Sequence, residues 1–367
     1  SDPVLPGGRV LVAFGDTAFT NVGVDDTLTL SPTLVGTIRL GIVRRKGSSH
    51  AGGAGLDPAA LNLPDIVVRN QFFAGWPPLA MGESFPATGS ARSVDASDQY
   101  SLVTTFNKLT GSWSFKFGSD YRIQRWNTLS PGADSFGNFT FNSVFTRSDP
   151  FLAAASDTSG TSMASLLLAA PASGSFGWNS ALSTQNHYLA FYSQNDWKVT
   201  PRLTINLGLR WELETPFTER YNRMSYAFDP AAALPVKPPG YDLRGGILFA
   251  GVNGNPRRGG PLDANNIGPR FGFACQVNPR TVLRGGYGLF YNIISNNSGF
   301  RSGVNTFNAV TSYRGTNDGG VTMFTTLANP FPAGLKQPIG SGAGLMASVG
   351  DGLSFFNDQR VSPYNQS

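Results

Sequence analysis

The sequence from Gln194 to Leu213 reads QNDWKVTPRLTINLGLRWEL, and from Leu203 onward it alternates without interruption. Leucine, isoleucine and tryptophan fall on one face of this run, and threonine, asparagine, glycine, arginine and glutamate fall on the other. A strict period of two is typical of one long strand that is apolar on one side and polar on the other. About 10 residues of tilted strand cross the hydrocarbon core of a bilayer, whereas soluble strands are mostly about 5–6 residues long. The run therefore predicts a strand of an outer-membrane barrel.

The composition of the 367-residue chain agrees with this interpretation. Charged residues make up 14%, well below the roughly 25% of soluble domains. The 44 glycines and 25 prolines suit many strands joined by irregular connections. The chain contains no run of about 18 apolar residues, which excludes a helical membrane span. Polar lumen-facing residues dilute the hydrophobicity of each barrel strand, so low charge without an apolar run is what a barrel predicts.

The charged residues and the few potential metal ligands limit the possible partners. The formal net charge of +5 could indicate a nucleic-acid partner, but the basic residues are dispersed and their densest cluster is Arg44-Arg45-Lys46. Such a short run beside a strand end is typical of a solvated surface, and we expect no nucleic-acid partner. One cysteine, Cys275, excludes an internal disulfide framework and a multi-cysteine metal site. With only two histidines, we expect no metal site and no cofactor.

Four β-hairpins with short polar turns are predicted along the chain. In each of them the second arm alternates between apolar and polar residues. The predicted arms are 27–30 with 34–44, 99–106 with 112–124, 187–199 with 203–213, and 267–277 with 281–291. Two of the turns share a pattern, Thr200-Pro201-Arg202 and Asn278-Pro279-Arg280, in which the proline ends the hydrogen-bonded ladder.

Long segments rich in glycine, proline, serine and asparagine separate these hairpins, at roughly 47–97, 127–185, 215–266 and 292–360. Connections this long without secondary structure are unusual in a compact soluble domain. A barrel with tight turns at one end and large extracellular loops at the other accounts for them. Within them we predict short strands at 137–146 and 246–251, and a short helix at 161–170. Aromatic residues near strand ends, Trp197, Trp211, Tyr192 and Tyr291, suit the interfacial girdles of such a barrel.

No complete catalytic set is visible, and the protein is predicted not to be an enzyme. The string Gly160-Thr161-Ser162-Met163-Ala164 copies the nucleophile motif of subtilisin-like proteases, but Leu166 stands where a proline normally follows. A triad also needs a histidine oriented by an aspartate, and neither histidine has such a context. Glu212 and Glu214 are paired carboxylates on one side of a strand, as in glycoside hydrolases. Because Arg210 shares their face, an ion-pair network is the favoured interpretation.

Several strings together resemble one family. They are FGSDYR at 117–122, DWKVTPRLT at 196–204, NLGLRWE at 206–212, NIGPRFGF at 266–273 and LRGGYGLFY at 283–291. These strings are similar to those of the large TonB-dependent outer-membrane receptors that carry a carboxypeptidase-regulatory-like domain at the N-terminus, often called Oar-like. The terminal PYNQ at 363–366 looks like the start of the family's next strand motif. The chain departs from the family pattern at Asn195, where an acidic residue is usual, and at Cys275, where an aromatic residue is usual.

The resemblance implies that residues 1–367 are part of one receptor barrel in the cell outer membrane. The barrel would have about 22 strands, of which this chain supplies middle ones, and the plug and N-terminal domain are absent from it. The implied function is uptake of a scarce nutrient such as an oligosaccharide or an iron chelate, driven by the TonB complex through the plug. Charged residues of the polar face would line the lumen and contact plug or ligand. They are Arg39, Lys116, Arg122, Arg210, Glu212 and Arg284. An Arg or Lys on the lipid face would cost about 2–4 kcal/mol near the midplane, which favours this orientation.

A secreted or surface β-rich module that binds carbohydrate or mediates adhesion is the alternative. Its long loops could bind glycans without any transport. The two interpretations differ in the apolar face of the strands. A sandwich buries this face against a second sheet, whereas a barrel exposes it to lipid.

Overall fold

A computed structural model describes residues 13–51, 57, 63–71, 73–81, 92–129, 133–151, 159–292, 305–350, 352–353, 355 and 362–366. These residues form an all-β structure with a few short helices. The strands are β1 (Ala13–Ser31), β2 (Leu34–Ala51), β3 (Leu79–Met81), β4 (Arg92–Thr110), β5 (Trp113–Leu129), β6 (Asn138–Phe141), β7 (Ser173–Asn179), β8 (Leu182–Thr200), β9 (Leu203–Glu214), β10 (Thr218–Glu219), β11 (Ser225–Ala233), β12 (Arg244–Phe249), β13 (Asp263–Asn278), β14 (Thr281–Tyr291), β15 (Asn308–Arg314) and β16 (Tyr364–Gln366). The α-helices are α1 (Asp65–Val68) and α2 (Ser162–Leu167), and no helix in the described part of the chain could span a bilayer.

Ten strands form one antiparallel sheet in the order β1-β2-β4-β5-β8-β9-β13-β14-β16, with β10 paired to β8. Long strands that follow one another in this sheet are joined alternately by two-residue turns and by the long connections. The turns are residues 32–33, 111–112, 201–202 and 279–280. At one of them Gly111 adopts a φ of +58°, a left-handed conformation that favours glycine. The four predicted hairpins are confirmed, and their arms extend further toward the loops than the alternation alone indicated.

The register of this sheet separates an apolar face from a polar face. Leu207 lies opposite Asn195 on one side and Phe271 on the other, and Asn206 lies opposite Asp196 and Gly272. Because directly paired residues point to the same side of a sheet, the leucine and tryptophan positions of β9 share a face with Phe115 and Phe117 of β5 and Phe271 and Phe273 of β13. We call this the apolar face and its opposite the polar face. Asp26 of β1 is an exception, since its pairing with Ile38 places it on the apolar face.

Large side chains of the apolar face are exposed. Leu40 and Leu209 are each 53% exposed and Phe191 is 51% exposed, although none of them lies at a strand end. In a sandwich these side chains would pack against a second sheet. Their exposure favours a barrel that turns this face toward lipid over the alternative of a soluble sandwich.

The long connections build a second region, which we call the loop layer. It contains a four-stranded sheet in the order β15-β7-β6-β3 and a two-stranded sheet of β11 and β12. Its largest core contains Val67, Phe139, Phe141, Phe176, Tyr313 and Phe331, which come from three different connections. The predicted short strands and helix are present as β6, β12 and α2. The shared hydrophobic core was not predicted, because its members lie far apart in the sequence.

Candidate functional site

The six charged residues singled out from the sequence all lie on the polar face. Paired positions run across the sheet from Arg39 of β2 through Val103 and Asp120 to Glu212 of β9. Arg122 lies two residues beyond Asp120 on β5, toward the loops. Arg210 lies two residues before Glu212 on β9, toward the turns. Lys116 and Arg284 lie nearer the turns, at positions paired with Gln194 and Ala274. The shared face places these residues but does not by itself assign them a ligand.

Arg122, Arg210 and Glu212 meet around Tyr188 of β8. The Tyr188 hydroxyl donates to Glu212 Oε1 at 2.5 Å and accepts from Arg210 Nη2 at 2.8 Å. Arg210 Nε also donates to Glu212 Oε1 at 2.8 Å, and the Arg122 guanidinium lies 5.3 Å from the centre of the Tyr188 ring. Arg122 is fixed in turn by two hydrogen bonds to Asp120. These charges neutralise one another, as the ion-pair interpretation of Glu212 predicted.

Arg39 belongs to a separate pair at the other side of the sheet. Its Nε lies 2.5 Å from Asp25 Oδ1 of β1, and both side chains are more than half exposed. Exposed ion pairs contribute little to stability. Arg39 thus lies outside the group of side chains that meet around Tyr188, which we call the Tyr188 cluster, although both lie on the polar face.

Tyr192 was predicted for an interfacial girdle, and this prediction is wrong. It pairs with Arg210 and Gly118 on the polar face, and its hydroxyl lies 2.7 Å from Thr105 Oγ1. A Cβ on Gly118 would lie 2.7 Å from this hydroxyl, so the glycine is what allows the tyrosine to cross the strand. Trp197 and Trp211 do lie on the apolar face, and Trp197 stacks on Trp113 with ring centres 4.5 Å apart.

A cavity of about 340 Å³ opens on the polar face at the loop end of the strands, and we call it the loop-end cavity. Aromatic rings and side-chain amides dominate its lining. The lining residues include Phe19, Arg45, Gln99, Gln124, Trp126, Asn186 and Phe217. Arg45 is already paired with Asp95 of β4. Two buried polar atoms, Trp126 Nε1 and Asn186 Oδ1, have no hydrogen-bond partner in the part of the chain that the structure describes.

Buried carboxylates hold the wall of this cavity in place. Glu214 accepts from Asn186 Nδ2 at 2.9 Å, which orients the amide whose Oδ1 is unpaired. Glu219 is fully buried and accepts hydrogen bonds from three backbone N–H groups, those of Ser183, Tyr221 and Arg223, at 2.7 to 3.1 Å. Glu219 thereby ties the connection that carries Phe217 to the start of β8.

Sequence reasoning missed the aromatic members of both sites. Tyr188 and Tyr192 stand at polar positions of the alternation, and tyrosines placed there are a signal of hydrogen bonding rather than of lipid contact. Trp126 stands at a polar position of β5 in the same way. The lining of the loop-end cavity by Phe19 and Phe217 had no local signal, because it depends on the pairing of distant strands.

Ser162 of the protease-like string and His187 both lie in structural contacts. Ser162 is fully buried at the start of α2, where Thr161 caps the helix by accepting from the Ala164 N–H at 3.1 Å. His187 is bound through Nδ1 to the Tyr121 hydroxyl at 2.8 Å. Within the described ranges, no group of three or more His, Cys, Asp and Glu side chains could hold a metal ion. Cys275 is a free, half-buried thiol between Leu203 and Leu283 on the apolar face.

Comparison with known proteins gives a family match over nearly the whole chain. Residues 7–367 match the model of the outer membrane beta barrel domain. No curated protein matches the sequence. Solved structures that match include the open form of the ferric-catecholate import receptor Fiu from E. coli K12, at 10% identity and a TM-score of 0.34, with 83% of this chain and 39% of that chain covered. The siderophore receptor PiuA from Acinetobacter baumannii matches at 11% identity and a TM-score of 0.37, with 84% and 39% covered. The chain thus spans about two fifths of the length of these receptors.

Proposed function

The chain belongs to the family of outer membrane beta barrel domains, and on that premise we propose that it forms part of the barrel of a TonB-dependent receptor. The complete barrel would have about 22 strands, closing on a plug that lies outside this chain. The open edge of β1 supports this proposal, since among the described residues β1 pairs only with β2. Unpaired strand edges are not tolerated inside a bilayer, so in the proposed barrel this edge would pair with a further strand.

The polar face would line the lumen of this barrel. Its support is the combination of an exposed apolar face with mutually paired charges on the other side. In the receptor, Arg39, Lys116, Arg122, Arg210, Glu212 and Arg284 would contact the plug or the ligand. The two ion pairs around Tyr188, Arg122 with Asp120 and Arg210 with Glu212, sum to zero charge, and we expect them to contribute a rigid wall of hydrogen bonds rather than a strong field.

The loop-end cavity would receive the ligand, and this cavity is the observation that carries the functional proposal. Its lining combines aromatic rings with the amides of Gln99, Gln124 and Asn186. Arg45 is paired with Asp95, and the other two charged lining residues, Asp98 and Arg125, have opposite signs, so the cavity offers hydrogen bonds and ring stacking more than positive charge. Two unpaired buried atoms, Trp126 Nε1 and Asn186 Oδ1, would gain from pairing with hydroxyl groups. Such a lining favours an oligosaccharide over an anionic iron chelate as the nutrient, with the TonB complex supplying the energy for uptake.

Binding measurements on the full-length receptor test this assignment. Calorimetric titration with a panel of neutral oligosaccharides and with a ferric catecholate should show binding within the oligosaccharide panel. The substitution Trp126→Phe keeps a ring but removes the indole donor, and we expect a loss of about tenfold in affinity from one hydrogen bond. Trp113→Phe, on the apolar face, is the matched control and should bind normally.

The opposite pattern would overturn the oligosaccharide assignment. Tight binding of the ferric catecholate, with no response to the oligosaccharides, would instead make the receptor one for an iron chelate. Equal affinity in the Trp126→Phe variant and the control would show that the ligand does not bind in the loop-end cavity.

A further inference from the structure

The apolar face carries a groove at the middle of β1, β2, β4 and β5. The volume of the groove is about 540 Å³. Its lining includes Val24, Leu40, Ile42, Leu102, Tyr121 and Ile123. Because this face is turned toward lipid in an outer-membrane barrel, acyl chains are the natural occupants of an apolar groove on it.

A basic cavity of about 530 Å³ lies on the same face, immediately beyond the groove. Ile42, Tyr100 and Ile123 line the groove, and two residues further along each strand toward the loops stand Arg44, Asp98 and Arg125. This step corresponds to about 7 Å along a strand. Arg125 and Asp98 line the basic cavity together with Arg220 and Arg257. The connection between β9 and β13 carries these two arginines and brings them over the start of β8.

The charge in this cavity is largely uncompensated. Asp98 is its one lining carboxylate, and the Asp98 side chain lies 3.4 Å from Arg44. Within the ranges that the structure describes, Arg125, Arg220 and Arg257 form no salt bridge. Their polar contacts are neutral. Arg125 donates to Gln185 at 2.8 Å, and Arg257 donates to Asn222 at 2.7 Å and to the backbone carbonyls of Glu219 and Arg220 at 3.2 and 3.1 Å. All three guanidinium-bearing side chains are exposed, so they are available to an anion.

Aromatic rings orient Arg125 and Arg220, and Arg257 is held by an amide and backbone carbonyls, so no acid among the described residues holds any of the three. The Arg125 guanidinium lies 5.5 Å from the centre of the Tyr100 ring, and Arg220 lies 5.5 Å from that of Tyr221. Such stacking orients a guanidinium and leaves its fork of donors free for a phosphate, which it recognises in a bidentate manner. The arrangement therefore presents phosphate donors directly above an apolar groove.

We propose that this surface binds a membrane lipid with a phosphorylated headgroup. The acyl chains would lie in the groove beside Leu40 and Tyr121, and the phosphate would lie between Arg125, Arg220 and Arg257. Charge complementarity selects an anionic headgroup, and the apolar groove selects a lipid over a free phosphate. The long loops of such barrels are extracellular, which places the lipid in the outer leaflet. This inference rests on the membrane location of the protein and does not depend on what the receptor transports.

Native mass spectrometry of the full-length protein in detergent tests the proposal, with dioleoyl phosphatidic acid and dioleoyl phosphatidylcholine as probes. The double variant Arg125→Gln/Arg220→Gln should bind phosphatidic acid at least about tenfold more weakly, because it loses charge-assisted hydrogen bonds. Its control, Arg202→Gln/Arg280→Gln, makes the same change in charge at the turn end of the sheet and should bind as the unmodified protein does. Phosphatidylcholine should bind weakly to the unmodified protein and to both double variants.

Three results would overturn the proposal. The first is undiminished phosphatidic acid binding by Arg125→Gln/Arg220→Gln, and the second is an equal loss in the turn-end control, which would indicate a non-specific effect of charge. The third is displacement of phosphatidic acid by millimolar inorganic phosphate, which would indicate a site for the free anion. If the double variant does not fold, Arg220→Gln alone replaces it, because the side chain of Arg220 contacts only the face of the Tyr221 ring among the contacts described.

Discussion

The ten-stranded sheet and the loop layer place their hydrophobic side chains in opposite ways. In the sheet, Leu209 and Phe191 are about half exposed, while the polar side turns its charges toward one another. In the loop layer, Phe139 and Phe141 are completely buried beside Phe176 and Phe331. One chain therefore contains an apolar surface in the sheet and an apolar core in the loop layer. The difference is what lipid around the sheet and water around the loop layer would produce.

The physical reason lies in what surrounds each region. In lipid there is no hydrophobic penalty for an exposed leucine, and the sheet is held instead by the ladder of backbone hydrogen bonds between its long strands. In water the connections must bury apolar area, since short strands with few partners are only marginally stable alone. Three of the four connections contribute side chains to one shared core and so bury this area.

Truncating the loop core should have the largest effect on stability. Phe139 is fully buried, with the Tyr313 ring at 5.8 Å and the Phe331 ring at 6.3 Å. We expect Phe139→Ala to destabilise the loop layer by about 3–5 kcal/mol, through lost burial and the cavity left behind. Limited proteolysis of the protein in outer-membrane vesicles should then cleave the connections much faster, while the membrane-embedded strands stay protected.

Two controls sharpen this test. Phe151→Ala removes a ring that is 79% exposed in the same connection as Phe139 and should leave proteolysis unchanged. Phe271→Ala removes a ring from the apolar face, where lipid can fill the vacated space, and it should leave the loop layer intact. A similar rate of cleavage in the Phe139→Ala and Phe151→Ala variants would mean that the loop layer has no cooperative core.

A charge placed on either face of β9 should separate lipid from lumen. Leu207→Arg puts a guanidinium on the apolar face at a cost of about 2–4 kcal/mol near the midplane. Asn206→Arg puts the same group on the polar face, within reach of Asp196, which the asparagine already contacts at 2.6 Å. The fraction of protein assembled in the outer membrane should fall for the first variant and not for the second. Equal tolerance of both would contradict the assignment of the two faces.

These two regions also differ in how much the sequence could predict. Alternation is a local signal, so the run from Leu203 to Leu213 was enough to predict β9, its faces and its hairpin with β8. The predicted strands stop short of the observed loop ends, because the alternation weakens toward the loops while the hydrogen-bonded ladder continues. The core of the loop layer joins residues such as Phe139 and Phe331, which are distant in the sequence and belong to short strands. No period of two or 3.6 marks such residues in advance.

The candidate sites show the same division. Arg122, Arg210 and Glu212 were predicted on one face, because strand parity alone places them there. That Tyr188 joins them, and that Trp126 and Phe19 line one cavity, depends on the register between six strands, β1, β2, β4, β5, β8 and β9. A single sequence carries no information on that register beyond the hairpin turns, so the pairing of β5 with β8 across a long connection could not be derived.

The junction between sheet and loop layer should respond to loss of a buried charge. Glu219 accepts three backbone N–H groups while fully buried, and Glu219→Gln replaces one of its acceptor oxygens by a donor. We expect a loss of about 1–3 kcal/mol, since hydrogen bonds to a buried charged group are among the stronger ones. The rate of proteolysis of the connection after β9 would measure this loss of stability. Asp242→Asn, at an exposed ion pair with Arg244, is the control and should change little.

The smallest expected effect comes from a carboxylate on the outside of the loop layer. The Asp318 side chain accepts from the Thr322 hydroxyl at 2.6 Å, from the Thr322 N–H at 3.0 Å and from the Thr316 hydroxyl at 2.7 Å. These bonds favour the charged form and hold the pKa of Asp318 well below its ordinary value of 3.8, with the Thr322 hydroxyl making the largest contribution. The group is fully exposed, so its effect on stability is small.

The sign of the pH dependence follows from this lowered pKa. Below pH 3.8 the unfolded segment binds a proton that the folded segment does not yet bind, so stability must fall as the pH falls. The contribution of Asp318 is therefore complete above its unfolded pKa and is lost as the pH approaches its folded one. Digestion with pepsin between pH 2 and pH 5 should show the difference between the unmodified protein and Asp318→Asn shrinking toward the acid end. A difference that grew toward acid pH would mean that the threonines bind the protonated form instead.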